Sequence, residues 1–351
     1  MAMFSGVVKQ FSDNDFPEPE ILDPSSVPSL RWGIVGAGDI AEVFINTLQK
    51  HTKQQVVGIA SKTPGKAQKL AAKFGVEKTF DSYEALCDQP DVDVIYIATL
   101  PNTHLADALI AIESGKHVLI EKPSTIRKAD AELLYSSARK AGVFAMEAMW
   151  SRYLPQASIM RKMIERGTLG RIDLIQADFG QDNREIARLW LPEASITQDM
   201  GIYPLAFAEQ ILGLPIKISA TGVLHSPHSE AMASAVLEYA SGARAVITYT
   251  GYNHVPTQAS ISGSEGVLLV DAPFFTPTGL NLHEAVFNGQ GPHWKDKTGV
   301  VGHEGLCYQA NYLASYVAQG LLESPLHTHH QTVEILGIGE EIRRQVGVKL
   351  D

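Results

Sequence analysis

Between Leu30 and Met149 short apolar runs alternate with amphipathic stretches. "LRWGIVG" (30–36), "QVVGIAS" (55–61), "VDVIYIAT" (92–99), "HVLIE" (117–121) and "VFAMEAM" (143–149) are nearly continuous in apolar residues and predict buried strands. The stretches between them, "DIAEVFINTLQKH" (39–51), "PGKAQKLAAKFG" (64–75), "HLADALIAIESG" (104–115) and "ADAELLYSSARKAG" (129–142), carry a helical apolar period, and the last three end on glycine. Unbroken apolar strands separated by helices imply a parallel sheet covered on both faces. The expected first domain is a doubly wound α/β sheet over residues 30–149.

The rhythm then changes. Strand patterns at 171–180, 216–225, 233–240, 243–252, 258–264 and 266–273 follow one another with few helices between them. Ser241-Gly242 stands where a two-residue hairpin turn would. Helices are predicted over 158–167, 204–213, 306–320 and 332–346. Residues 150–351 therefore read as an α+β domain on a large, mostly antiparallel open sheet, helices on one face and the other free for a second subunit. Its last helix is free to pack back on the first domain. Residues 1–29, with the acidic, proline-rich "SDNDFPEPEILDPSSVPS", show no apolar period and predict an extended arm, not a packed element, either disordered or lying along a neighbouring domain or subunit.

Composition narrows the function. A chain of 351 residues, 45% hydrophobic, has material for two cores. A net charge of −10 disfavours nucleic acid, which needs a basic face. No apolar stretch approaches a membrane span of about 20 residues, and "MAMFSGVVKQFSDNDF" lacks the pattern of a secretory leader. Two distant cysteines, Cys87 and Cys307, predict buried thiols in a reducing, cytoplasmic compartment. "HTHH" (327–330) has no carboxylate or cysteine at ligand spacing and predicts a solvated loop, so no metal site is expected.

Three stretches carry chemistry. Gly36-Ala37-Gly38-Asp39-Ile40-Ala41 follows a strand and opens a helix, the context in which G-x-G-x-x-A holds a dinucleotide pyrophosphate. After the next strand, where a carboxylate would bind a ribose hydroxyl, stand Ser61-Lys62-Thr63; a hydroxyl and an ammonium suit a 2′-phosphate, hence NADP(H) over NAD(H). The strand "HVLIE" ends at Glu121-Lys122-Pro123, at the edge where open α/β sheets bind ligands, with Pro123 expected to keep Lys122 extended. Far along the chain "QDMGIYPLAF" places Asp199 and Tyr203 on one helix face, in a helix that Gly201 and Pro204 either start or distort. A phenol beside an ammonium is expected to titrate below its ordinary value, so the pair could take a proton from an alcohol while its carbon gives up hydride.

Together, the glycine turn, "TLPNTHLADALIAIESGKHVLIEKP" (99–123) and D-x-G-x-Y resemble the glucose-fructose oxidoreductase/inositol dehydrogenase/rhizopine-catabolism (Gfo/Idh/MocA) family over roughly residues 30–351. "EAMWSRYLP" (147–155) and "DMGIYP" (199–204) are most similar to its branch of dimeric dihydrodiol dehydrogenases and NADP-dependent D-xylose dehydrogenases. The resemblance implies a Rossmann first domain and NADP(H)-linked oxidation of an aldose, polyol or trans-dihydrodiol. It implies Lys122 to polarise the substrate oxygen, Tyr203 as general acid/base, and Asp199 to hold substrate or set the local charge. Thr99, Asn102 and His104 would line the nicotinamide ribose, Glu121 would stand beside the ring, and Trp150 and Arg152 would cover the cofactor or lead to the substrate. It further implies a homodimer or dimer of dimers through the open sheet. Relatives often have several glycines before the aspartate, where this chain reads "EASITQD" (193–199). A non-enzymatic NAD(P)-binding regulator on the same fold is the alternative, as is an enzyme that keeps its nicotinamide bound and cycles between two sugars.

Overall fold

β1 (Arg31–Val35) is buried from Trp32 onward because it lies at the middle of a sheet covered on both sides. In the computed structural model, which describes residues 8–191 and 194–350, the chain continues through α1 (Asp39–His51), β2 (Gln55–Ala60), α2 (Lys66–Phe74), β3 (Lys78–Phe80), α3 (Tyr83–Cys87) and β4 (Val94–Ile97). α4 (His104–Glu113), β5 (His117–Ile120), α5 (Lys128–Ala141) and β6 (Ala145–Glu147) complete the layer. All six strands are parallel, in the order β3-β2-β1-β4-β5-β6. The doubly wound α/β expectation is borne out. β3 and α3 were not visible in the sequence, since "KTF" and "YEALC" are too short to show a period.

The second sheet has eight strands. α6 (Pro155–Glu165), β7 (Ile172–Gly180), α7 (Ile202–Leu212), β8 (Lys217–Ser226), β9 (Ser229–Glu238), β10 (Arg244–Thr250), β11 (Ala259–Gly263), β12 (Gly266–Val270), β13 (Leu280–Glu284), β14 (His293–Trp294), α8 (Leu306–Ala318) and α9 (His329–Val346) follow in order. The sheet runs β14-β13-β12-β11-β7-β10-β9-β8 and is antiparallel except where β7 meets β10. In β10, Ala245, Ile247 and Tyr249 turn to the buried face, while Arg244, Val246 and Thr248 line the other. α7 and α9 cover the buried face. The β9–β10 hairpin is longer than expected: Tyr239 pairs with Ala243 across three residues, and Gly242, at φ +89°, takes the left-handed position such a loop demands.

Two elements tie the layers together. α9 packs on α5 of the first layer, with Lys128 paired to Glu334 at 2.7 Å, and on β8 of the second. The start of α8 lies on α1, where the Thr47 hydroxyl donates to the Glu304 carbonyl at 2.5 Å. One apolar core runs from Trp32 and Phe44 through Trp150 and Tyr153 to Ile175 and Tyr249.

The arm takes one of the two expected placements, along a neighbouring domain, and there it is packed. From Val8 it follows its own chain's second layer: Lys9 pairs with Glu265 at 2.7 Å, the Glu20 amide donates to Ser158, and Tyr312 donates to the Glu20 carbonyl. Proline removes amide donors and stiffens the arm, so apart from one 3₁₀ turn, Asp13–Asp15, it packs without regular structure. Its first seven residues lie outside the described residues.

Candidate active site

The glycine turn stands at the carboxyl end of β1. Gly36 has φ +97°, and an added Cβ would lie 2.5 Å from the Ala98 carbonyl oxygen, so the crossing of β1 and β4 admits only glycine. Gly38 differs: an added Cβ would meet nothing within 4 Å, because it faces the open space over the start of α1. Glu42 is the first residue whose amide bonds within the helix, to Gly38, leaving the amides of Asp39, Ile40 and Ala41 directed at that space. Ala37 is half-buried, Asp39 is exposed, and Ala41 packs into the core. An exposed concavity lined by free amides at a 13-residue helix's positive end fits a pyrophosphate. Filling it should separate binding from folding. Gly38→Ala is expected to weaken NADPH binding about tenfold, about 1.4 kcal/mol, with an unchanged melting temperature, as read by calorimetry and thermal denaturation.

At the end of β2, Ser61 is buried and its hydroxyl accepts from the Thr63 amide at 3.2 Å. The Lys62 ammonium sits 4.2 Å over the Tyr83 ring and 3.5 Å from Asp107, with a side chain 60% exposed. Asp107 in turn accepts from Thr99 at 2.7 Å and Thr103 at 2.8 Å, joining the ends of β2 and β4.

Lys122, Asp199 and Tyr203 converge. The Lys122 ammonium donates to the Asp199 carboxylate at 2.9 Å and to its carbonyl at 2.7 Å, and lies 5.2 Å from the centre of the Tyr203 ring. Asp199 lies in a π-helical turn, Thr197–Gly201, that leads into α7. This is the distortion expected around Gly201 and Pro204, and Gly201 has a second reason to be glycine: a Cβ there would stand 2.7 Å from the Tyr249 ring. The Tyr203 hydroxyl accepts from the Trp150 indole at 2.9 Å, and its ring stacks on Phe275 at 4.4 Å and meets Phe179 edge-on.

The electrostatics correct one expectation. Burial pushes the Tyr203 phenol above its ordinary range, and this outweighs the opposing pull of Lys122 and Trp150. Burial alone would lower Lys122, but Asp199 and Tyr203 hold it above the usual lysine value. Burial likewise works to raise Asp199, yet the charge and hydrogen bond of Lys122, with Arg188 farther off, keep it low.

The strand end carrying Lys122 is pinned residue by residue. Glu121 accepts from the Tyr96 hydroxyl and is pushed up to about 7 by burial, against the pull of Tyr96 and Lys122. The Lys122–Pro123 bond is cis. Ser124 donates its amide to Glu147 at 2.8 Å, and Gln198 donates to the Ile126 carbonyl. His104 is buried, its two ring nitrogens directed at the carbonyls of Pro123 (2.8 Å) and Thr99 (3.2 Å), so it clamps the loops and does not face open space. Asn102 is exposed and lines the cleft beside Pro123 and Asp199.

Two expectations fail. Arg152 is 1% exposed and paired with buried Glu209 at 2.5 Å, with a second bond to the Ala206 carbonyl. Its guanidinium serves the second layer's core and does not line the cleft. "HTHH" is not a solvated loop: two of its three histidines are buried, and only His330 is exposed. His327 bonds Glu147 at 2.8 Å with both side chains fully buried, and His329 stacks on Tyr135 and meets the Ala145 carbonyl. No group of three or more potential metal ligands occurs among the described residues.

The sequence reading missed Arg188, Gln198 and Phe275. Arg188 lies in an aperiodic stretch, 181–190, and Phe275 follows a strand end, so neither carried a signal. Gln198 belongs to the segment that departs from the glycine-rich pattern, and that departure was the clue.

A helix-borne phosphate cradle and an ammonium–phenol pair at one sheet edge define an NAD(P)-binding oxidoreductase. Residues 30–149 match the model of the oxidoreductase family with an NAD-binding Rossmann fold, and residues 158–269 match the GFO/IDH/MocA C-terminal domain. The chain belongs to the Gfo/Idh/MocA oxidoreductase family. It is 34% identical to the mouse trans-1,2-dihydrobenzene-1,2-diol dehydrogenase over 332 residues, covering 91% of this chain and 98% of the relative. Among solved structures it resembles a levoglucosan dehydrogenase in complex with NADH and levoglucosan (19% identity, TM-score 0.80, 91% of this chain and 97% of the other). It also resembles a 3-ketoreductase from Actinomadura kijaniata in complex with NADP and TDP-benzene (23% identity, TM-score 0.79, 91% and 98%). No helix among the described residues is long and apolar enough to cross a membrane.

Proposed function

We propose that this enzyme is an NADP(H)-dependent dehydrogenase acting on a secondary alcohol or sugar hemiacetal, with an aldose such as D-xylose or a trans-dihydrodiol as substrate. The observation that carries it is the meeting of the Lys122 ammonium and the Tyr203 ring, 5.2 Å apart, with Lys122 after a strand of the same sheet that carries the Gly36–Gly38 turn. When bound, the nicotinamide accepts or supplies the hydride. Lys122 stays charged and donates to the substrate oxygen, exchanging one of its bonds to Asp199. Tyr203 holds the proton that leaves or returns to that oxygen, and Trp150 and Phe275 hold the phenol in place. Asp199, which lines the cleft, holds the ammonium in place. Thr99, Asn102 and Glu121 border the nicotinamide end, and His104 supports them from below. A regulator that only sensed cofactor would need the glycine turn but not the buried pair. Assembly is proposed through the open face of the second sheet, in the cytoplasm.

The test is absorbance at the NADPH band with NADP and a panel of aldoses, polyols and trans-dihydrodiols. Turnover of at least one is expected; silence across the panel with tight NADPH binding would favour the regulator.

NADP is preferred in this reading because the end of β2 offers Lys62 and no carboxylate. Lys62→Ala is expected to lower the ratio of kcat/KM for NADPH over NADH at least about tenfold, since one phosphate contact of about 1.4 kcal/mol or more is lost. An unchanged ratio would place 2′-phosphate recognition elsewhere.

A further inference from the structure

The segment "EASITQD" departs from the glycines its relatives often carry, and its described part, Ala194–Asp199, forms one wall of the cleft. The departure is built in. Ser195 and the Thr197 amide both donate to the buried carboxylate of Glu230 at 2.7 Å, and Arg343 neutralises that carboxylate at 3.0 Å. Thr197 meets the Tyr249 hydroxyl at 2.7 Å. With these anchors the turn does not shift to shed its polar side chains, so whatever it presents to the cleft is fixed.

It presents Gln198. The side chain is 3% exposed and lines the cleft, and its amide nitrogen donates to the Ile126 carbonyl. That carbonyl sets the orientation of the amide, because the flipped form would put two oxygens together. The oxygen Oε1 is therefore an acceptor; it is buried at the cleft wall and has no partner among the described residues. A buried acceptor without a donor is destabilising, and a ligand hydroxyl would relieve it.

On the same cleft stands Arg188, exposed and without a hydrogen bond or ion pair among the described residues, whereas neighbouring Arg184 is held by Asp182. Much of the wall between them is apolar, from Leu100, Pro101, Ile126 and Leu189, which strengthens a nearby charge. Lys122 and Asp199 cancel each other, and Glu121 turns away to Tyr96. The guanidinium is the charge left over, and its reach is felt at Asp199.

We propose that Arg188 and Gln198 form a subsite for a carboxylate-bearing, polyhydroxylated substrate, a sugar acid, with the carboxylate on the guanidinium and a hydroxyl donating to Gln198 Oε1. The inference rests on the oxidoreductase reading and narrows its substrate class. A planar fork of donors suits a carboxylate, and an isolated amide oxygen suits a hydroxyl and rejects a second anion.

The experiment is calorimetry on the full chain saturated with NADP, titrated with D-glucuronate and with D-glucose. D-glucuronate should bind at least tenfold more tightly than D-glucose. Arg188→Gln should bring the two affinities within threefold of each other, and Gln198→Leu should weaken both sugars. Equal or weaker binding of the acid by the wild type, no binding of either sugar, or a preference for the acid that survives Arg188→Gln overturns the subsite. Turnover of D-glucuronate, D-glucose and a trans-dihydrodiol is measured alongside. If none is turned over, the oxidoreductase reading fails in its substrate class while calorimetry still decides the subsite. If D-glucose or the dihydrodiol is turned over and the acid is not bound, only the subsite falls.

Discussion

Lys122→Met is expected to lower kcat at least ~10³-fold, the combined loss of a charged donor to the reacting oxygen and of the field that assists proton transfer. NADPH affinity should change less than about threefold, because the phosphate cradle lies at the other end of the cofactor, on the amides of α1. Methionine matches the length of the lysine stem, so the packing against Tyr203 survives. Asp199 loses its cation, but its side chain is 33% exposed and water can take the ammonium's place, which keeps the cost in stability small. Steady-state turnover, NADPH titration and a thermal melt on one preparation check all three. A variant with turnover within tenfold of the wild type would remove Lys122 from the chemistry and with it the proposed function.

Tyr203→Phe is the second large effect. The hydroxyl accepts from the Trp150 indole, so its removal should leave the fold intact while kcat falls ~10²–10⁴-fold, the range of a lost general acid/base. Direction of reaction and pH then become linked. Burial raises the phenol above its ordinary value despite Lys122, so the group is protonated through neutral pH. Reduction of a carbonyl needs that proton and should hold its rate through neutral pH, falling only as the phenol ionises in alkali. Oxidation of an alcohol needs the phenolate, so its kcat should climb with pH and still be rising near the ordinary tyrosine value of about 10. The rising limb should be absent in Tyr203→Phe. A plateau below neutral pH, or the same profile in the variant, would give the titration to another group, such as Glu121.

The first sheet was readable because its strands are buried on both faces, so their apolar runs need no partner to be recognised. The Gly36 turn was equally readable, since its requirement is backbone geometry within one loop. Where elements were short, as with β3, α3, β13 and β14, the period had no room to show. His327 and Arg152 illustrate the opposite failure. A polar side chain carries no mark in the sequence that says its partner, Glu147 or Glu209, will be buried with it.

By itself the order of residues determined the class of each layer, the glycine turn after β1, and the three side chains Lys122, Asp199 and Tyr203 worth bringing together. Those follow from local period and local backbone constraint. Only the tertiary structure decided that they meet, that the phenol is raised and not lowered, that the arm packs on its own chain, and that Arg188 and Gln198 face one cleft. These are sums over neighbours drawn from distant stretches, in which burial competes with charge at distances of a few ångströms, and no stretch of sequence contains both terms of that competition.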